Sequence, residues 1–336
     1  MPVEWTSPPR PCFGPVPDAL VYASASHVLR ARLHRQVLLS GLLRPDATAE
    51  AGFLATFGDG RYVDDLYVRR ARISWPRLAP GQVEGLEDPD DLRLRCAYGG
   101  VLFGHFGHFL IESLSRFWWL KSNPAMPVLW HAVVPRVLPW QQEIFGLLGM
   151  AGVSMHLIAR PLKVAQLVVP ELGFVIQNQV SDAQARALGV VPFGRPDPSR
   201  RIWLSRSALP GRGGLTPVLE RCLEERLREL GWHVLHPEAL AVAEQLDALK
   251  GARTIAGIEG SAFHLLLLGR DIESQIRIVR RDDASMPINS NYMLIANAKN
   301  LDQKVSEFSM TSEEFQGGES GKEAFVDRVL DFMDGP

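Results

Sequence analysis

The stretch from Ile202 to Val279 constrains the fold more than any other part of the chain. Short apolar runs, Ile202 to Ser205, His233 to Leu235, Thr254 to Gly257 and Ile276 to Val279, alternate with helical spacings at 217–230, 241–249 and 261–268. Strands joined through helices lie parallel, and such crossovers are right-handed. The alternation therefore predicts one doubly wound α/β sheet of the nucleotide-binding type. The helix starting at Pro217 carries independent marks: Thr216 as N-cap, proline at its first position, an apolar stripe of Leu219, Cys222, Leu223, Leu227 and Leu230, and Gly231 just past its end. A sheet of this kind binds ligands beyond the carboxyl ends of its strands.

The remainder of the chain reads differently. Residues 1–100 predict an irregular, β-rich segment with short strands at 19–22, 36–39 and 61–75, broken by prolines. From Gly104 a small-residue and histidine segment runs into a helix that reaches Leu120 and stops at Asn123-Pro124. A strand (127–133), a helix (140–148) and two further strands (154–158 and 162–169) complete a first domain over 1–192. The proline- and glycine-rich stretch Val191 to Pro198 marks a boundary, and a second domain spans 198–300. Residues 301–336 form an acidic tail with nine acidic residues against three basic ones. Its last helix presents Phe325, Val326, Val329, Leu330 and Met333 on one face and is expected to return to the first domain.

Composition removes several function classes. A chain of 336 residues with 46% hydrophobic and 22% charged residues is globular over most of its length. Its net charge of −2 lacks the field on which nucleic-acid binders and polybasic membrane binders rely. Cys12, Cys96 and Cys222 form no close pair, which argues against both a disulfide framework and a thiolate metal site. No uninterrupted apolar run reaches the ~18 residues of a membrane span, and Met1 to Arg10 lacks signal-peptide order. A cytoplasmic location is expected, with at most peripheral contact at the inner face of the membrane.

Candidate chemistry gathers at the predicted strand ends. Gly257-Ile258-Glu259-Gly260-Ser261-Ala262-Phe263-His264 lies where a buried strand turns into an apolar helix. The first N–H groups and the dipole of that helix suit a diphosphate or a carboxylate, helped by the Ser261 hydroxyl, although such turns also carry glycine and serine for geometry alone. Arg206 follows the first strand of the sheet and Arg212 lies in the loop Pro210 to Gly214. The planar fork of arginine fits a diphosphate; in an arginine-rich chain either can equally be a solvated surface residue. Glu238, after the second strand, fits the hydroxyls of a ribose or a helix cap. In the first domain His105, His108 and Glu112 are spaced i, i+3 and i+7, a spacing open to a histidine–carboxylate general base, a zinc site or a satisfied structural histidine. Asp88-Pro89-Asp90 has the form of a manganese-binding DxD, yet no apolar strand precedes it and chance explains it better.

Three blocks between about residues 95 and 280 resemble, in order and spacing, glycosyltransferase family 61. They are Gly107-His108-Phe109-Leu110-Ile111-Glu112 through Arg116; Trp203-Leu204-Ser205-Arg206 with Arg212 downstream; and Val234 to Leu240, Gln245 and Gly257 to Ala262. This chain has Glu259-Gly260-Ser261 where many members have His-Gly-Ala, and Gly213-Gly214-Leu215-Thr216 stands where an asparagine follows the loop arginine. The resemblance implies a GT-B-like architecture of two Rossmann-type domains facing a cleft. It also implies inverting, metal-independent transfer of a sugar from a nucleotide donor to a glycan or lipid-linked saccharide, as in surface polysaccharide biosynthesis. A uridine diphosphate sugar is the expected donor, with no other cofactor and no nucleic acid. On this resemblance His108 is the candidate base, oriented by Glu112, with Glu112 itself as the alternative base. Ser205, Arg206, Arg212, Glu238, Glu259, Gly260, Ser261 and His264 form the candidate donor-binding set. Three other readings compete: a sugar-nucleotide epimerase or hydrolase on the same fold, a non-catalytic sugar-nucleotide-binding protein, and a zinc hydrolase built on His105, His108 and Glu112.

Overall fold

The structure, a computed structural model, describes residues 29–42, 52–67, 77–133, 136–209, 217–281, 288–309 and 318–334. The expected strand at 19–22, the Arg212 loop and the Thr216 cap lie outside the described residues. The chain divides into two compact units, residues 1–190 and 191–336.

In the first unit β1 (Ala31–Leu39), β2 (Ala55–Phe57), β3 (Asp90–Leu102), β4 (Val128–Ala132), β5 (Met155–Leu157) and β6 (Leu162–Pro170) form a six-stranded sheet in the order β2-β1-β6-β3-β4-β5. Strands β6, β3, β4 and β5 run parallel, whereas β1 is antiparallel to both β6 and β2. The sheet is mixed, not the all-parallel sheet expected of a Rossmann-type domain, and strands β1 and β2 from the β-rich first hundred residues belong to it. Within 61–75, Asp64–Leu66 forms a 3-10 turn where a strand is expected. The long strand β3 has no counterpart in the sequence reading. Its first half is exposed and charged, which hides any apolar alternation, and Gly99-Gly100 interrupts its second half. Both glycines are needed inside the strand: a Cβ at Gly99 would run into the Trp130 indole, and Gly100 has φ +117° with the Arg116 guanidinium beside it. The Asp88-Pro89-Asp90 segment is simply the approach to this strand.

The single helix expected from 104 to 120 is broken into α1 (Phe106–Ile111), a 3-10 turn (Ser113–Arg116) and α2 (Phe117–Leu120). Ser113 is tied to the end of β3, and groups from elsewhere bond to the Leu114 and Ser115 carbonyls that a continuous helix would use for itself. The Ser113 hydroxyl donates to Val101 O (2.8 Å) and accepts from Phe103 N (3.0 Å). The Gln184 amide donates to Leu114 O and Gly173 N to Ser115 O, both at 2.6 Å. Arg116 turns inward, fully buried, and donates to Pro170 O and Asp65 O at 2.9 Å each. Burial pulls its guanidinium down to about 10. Two more helices, α3 (Pro139–Leu147) and α4 (Asp182–Leu188), complete the unit, the latter capped by the Ser181 hydroxyl. In the core His131 lies between Tyr98 (2.8 Å) and Ser40 O (2.8 Å). A carbonyl can only accept, so His131 Nε2 carries the proton and Nδ1 accepts from the tyrosine. Burial holds this ring neutral, pulling its pKa down to about 3.

The second unit follows the alternation closely. It contains β7 (Asp197–Leu204), α5 (Pro217–Glu229), β8 (His233–Leu235), α6 (Val242–Leu249), β9 (Ala252–Ile258), β10 (Gln275–Arg280), α7 (Asn291–Lys299), β11 (Asp302–Ser309) and α8 (Gly318–Asp334). The five strands are all parallel in the order β8-β7-β9-β10-β11. In chain order this is 2-1-3-4-5, so the direction of winding reverses between β7 and β9. Two expectations are corrected here. The start of the acidic tail is the edge strand β11, and the last helix packs within the second unit instead of returning to the first. Phe325, Val326, Val329 and Met333 share one core with Trp203, Leu219, Leu223, Leu227, Ile258 and Val279. A helix following the fifth strand lands on the face already occupied by α5, where both bury their apolar stripes. The proline-rich stretch after Val190 is also packed: Val191–Pro192 pairs with Gly269–Arg270, and Phe193 is buried against Gly269. Among the described residues no helix is long and apolar enough to cross a membrane.

Candidate active site

α1 brings His108 and Glu112 one turn apart, and His108 Nδ1 meets Glu112 Oε2 at 2.5 Å. A carboxylate accepts, so Nδ1 carries the proton and Nε2 is the basic nitrogen. The two side chains are unequally placed: that of Glu112 is 4% exposed and that of His108 is 39% exposed. The buried member fixes the ring, and the accessible member presents it. Phe103 and His105 flank the imidazole, with ring centroids at 5.6 and 5.1 Å. His105 is the N-cap of α1, outside the helix proper, and makes an edge contact with His108 instead of joining a shared ligand set. No cluster of three or more His, Cys, Asp or Glu side chains suited to a metal ion occurs among the described residues.

In the second unit the carboxyl ends of β7 and β9 are neighbours, with Leu204 paired to Gly257. A Cβ at Gly257 would clash with Leu204 O, so glycine lets the two strands close up as they reach the winding reversal. Just beyond, the Arg206 guanidinium lies against Gly260, and any side chain at 260 would collide with its Nη1. Gly260 is the N-cap of the segment Ser261–Leu268, which is a 3-10 helix where an ordinary apolar helix is expected. Arg206, Glu259, Gly260 and Ser261 are therefore gathered at one point, the switch point of the sheet, where ligands bind in folds of this order.

The other expected residues are placed differently. Ser205 is buried; its hydroxyl donates to Glu224 Oε1 (2.5 Å) and accepts from Ser207 N (3.0 Å), so it faces the interior of the turn. Glu238 sits on a short turn after β8, 3.8 Å from His236 Nδ1. That turn is held by Gln245, whose amide donates to Pro237 O (2.8 Å) and Leu240 O (3.1 Å). His264 is buried inside the 3-10 helix, with its ring 5.4 Å from Tyr292 on α7. Two residues absent from the sequence reading also reach the site. Glu220 Oε1 accepts from the backbone N–H of Arg206 at 2.6 Å, and Glu224 accepts from Ser205. Their only sequence signal is a pair of acidic residues flanking the Leu219, Leu223, Leu227 stripe, ordinarily the mark of a solvated face.

The arrangement supplies an accessible imidazole oriented by a buried carboxylate, and an arginine crossing a glycine turn at a parallel-sheet switch point. No curated protein sequence matches the chain. The family model for glycosyltransferase 61 matches residues 106–277, from the first residue of α1 into β10, and so takes in both groups of residues. That match spans half of the chain, and on it the protein belongs to glycosyltransferase family 61 and is a glycosyltransferase.

Proposed function

We propose that the enzyme transfers a sugar from a nucleoside diphosphate sugar, a uridine diphosphate sugar as the first candidate, to a hydroxyl of a glycan or lipid-linked saccharide, with inversion at the anomeric carbon and without a metal ion. The observation that carries this reading is the His108–Glu112 pair. His108 Nε2 takes the proton of the acceptor hydroxyl as its oxygen bonds to the anomeric carbon, and the bond from that carbon to the diphosphate breaks on the opposite side. Glu112 holds the ring in the required tautomer and stabilises the imidazolium that forms.

The departing diphosphate carries the developing negative charge. Arg206 and the Gly260-Ser261 turn supply fixed positive charge and N–H donors for it, which is the contribution a metal ion makes elsewhere. In this reading the second unit holds the donor, with Glu259 and Glu238 toward its nucleoside or sugar, and the first unit holds the acceptor. Surface polysaccharide assembly at the cytoplasmic side of a membrane is the setting that fits such an acceptor.

The test is the product itself. A purified chain given a panel of nucleotide sugars and saccharide acceptors is expected to form a glycoside whose anomeric configuration, read by NMR, is opposite to that of the donor. Retained configuration would overturn the single-base mechanism. Release of sugar or a changed sugar nucleotide from donor alone, with no glycoside formed, would favour hydrolysis or epimerisation.

A further inference from the structure

Helix α5 buries Leu219, Leu223 and Leu227 in the core of the second unit, and buries two carboxylates with them. Glu220 and Glu224 are each only 2% exposed and lie one turn apart. Carboxylates are rarely buried without partners, and like charges at this spacing repel. One oxygen of each is bonded in the same place, the turn that follows β7. Glu220 Oε1 accepts from Arg206 N (2.6 Å), and Glu224 Oε1 accepts from Ser205 Oγ (2.5 Å). The same hydroxyl accepts from Ser207 N (3.0 Å), while Ser205 N donates to Leu235 O (2.8 Å) on the neighbouring strand. Three consecutive residues are thereby tied, and the side chain of the middle one lies against Gly260.

We propose that Glu220 and Glu224 are positioning residues: from α5 they hold the Ser205-Arg206-Ser207 turn so that the Arg206 guanidinium stays across Gly260, where the diphosphate docks. This rests on the donor-site reading above and adds to it the device that aims the arginine. The charged groups facing the pair are Arg206 from the turn, Arg228 on α5 (3.1 Å from Glu224) and His236 after β8 (3.8 Å from Glu224). Burial pushes Glu220 up to about 7, and Glu224 adds to the rise against the opposing bond from Arg206 N. A proton on Glu220 relieves the repulsion while leaving an oxygen to accept from Arg206.

Calorimetry on the full chain tests this with uridine, guanosine and cytidine diphosphates and with the nucleoside of whichever binds. A wild-type chain that binds none of the three, or an Arg206→Ala chain that binds as tightly as wild type, overturns the donor-site reading itself. With that reading intact, Glu220→Ala is expected to weaken nucleoside diphosphate binding about tenfold or more and to leave nucleoside binding unchanged. Glu220→Gln, which keeps an acceptor for Arg206 N, is expected to restore most of the affinity. In an Arg206→Ala background Glu220→Ala should cost nothing further. If Glu220→Ala does not fold, Ser205→Ala cuts the Glu224 link instead and is expected to weaken the diphosphate selectively as well. Wild-type diphosphate affinity in these variants, an equal loss of nucleoside binding, or a full additive loss in the Arg206→Ala background would each overturn the positioning role.

Discussion

Glu112, at the end of α1 in the first unit, and Glu220, on α5 in the second, are both buried carboxylates, yet they take hold of different parts of a residue. Glu112 accepts from an imidazole ring, and Glu220 accepts from a peptide N–H. A carboxylate bonded to a ring sets which nitrogen carries the proton. A carboxylate bonded to the main chain alters only where the residue stands. In the proposed mechanism the first unit carries its chemistry in the tautomer of a ring, and the second in a geometry.

The largest expected effect tests the first half of that contrast. His108→Ala should lower turnover by about 10²–10⁴-fold with nucleoside diphosphate affinity nearly unchanged, as measured by steady-state kinetics and calorimetry on the same preparation. Glu112→Gln should lower turnover less, because the ring remains while the charge that orients it is gone. A His108→Ala chain that folds, binds donor and turns over near the wild-type rate would pass the role of base to Glu112.

The second effect concerns stability. Glu220 has a folded pKa of about 7 against an ordinary value of 4.5, so the folded chain holds a proton there that the unfolded chain has released. Its stabilising contribution is complete below pH 4.5 and is lost as pH rises through about 7, a change of at most about 3 kcal/mol. Urea melts at pH 5 and pH 8 should show Glu220→Gln losing less stability than wild type over that interval. Parallel pH dependence in the two chains would mean that Glu220 is charged throughout.

Next in size, Arg206→Ala should weaken nucleoside diphosphate binding by roughly 1.5–3 kcal/mol while leaving the melting temperature close to wild type. Gly260→Ala should act in the same direction, since the added methyl displaces the guanidinium. The smallest expected effect is none: turnover should survive EDTA, because in the proposed mechanism an arginine and a glycine turn carry the diphosphate charge. Loss of turnover restored by manganese or zinc would break the contrast by adding a third kind of group to it.

How much of this was legible in the sequence follows from how local each signal is. The elements of the second unit from β7 to β10 stand out because strands of a parallel sheet are compact apolar runs, and α5 has its stripe and its terminal glycine. By contrast β3 is half exposed and β11 is a polar edge strand, so neither shows the pattern that names a strand. The break after α1 depends on Ser113, Gly173 and Gln184, whose bonds reach distant parts of the chain. The His108–Glu112 pair is legible because four residues make one helical turn. The contact of Arg206 with Gly260 follows from placing both at strand ends of one sheet. Glu220 and Glu224 are not legible, since only the fold sets α5 against that turn.

The position of β11 has a consequence for any shortened form of this enzyme. As the outermost strand it caps the hydrogen-bonding edge of β10, and α8 behind it covers apolar surface shared with α5. A chain cut before Asp302 would leave β10, rich in buried isoleucine and valine, with an open row of N–H and C=O groups and an uncovered hydrophobic flank. Such an edge is a template on which other chains pair, so a chain shortened there is expected to aggregate, and the acidic tail is a structural part of the sheet.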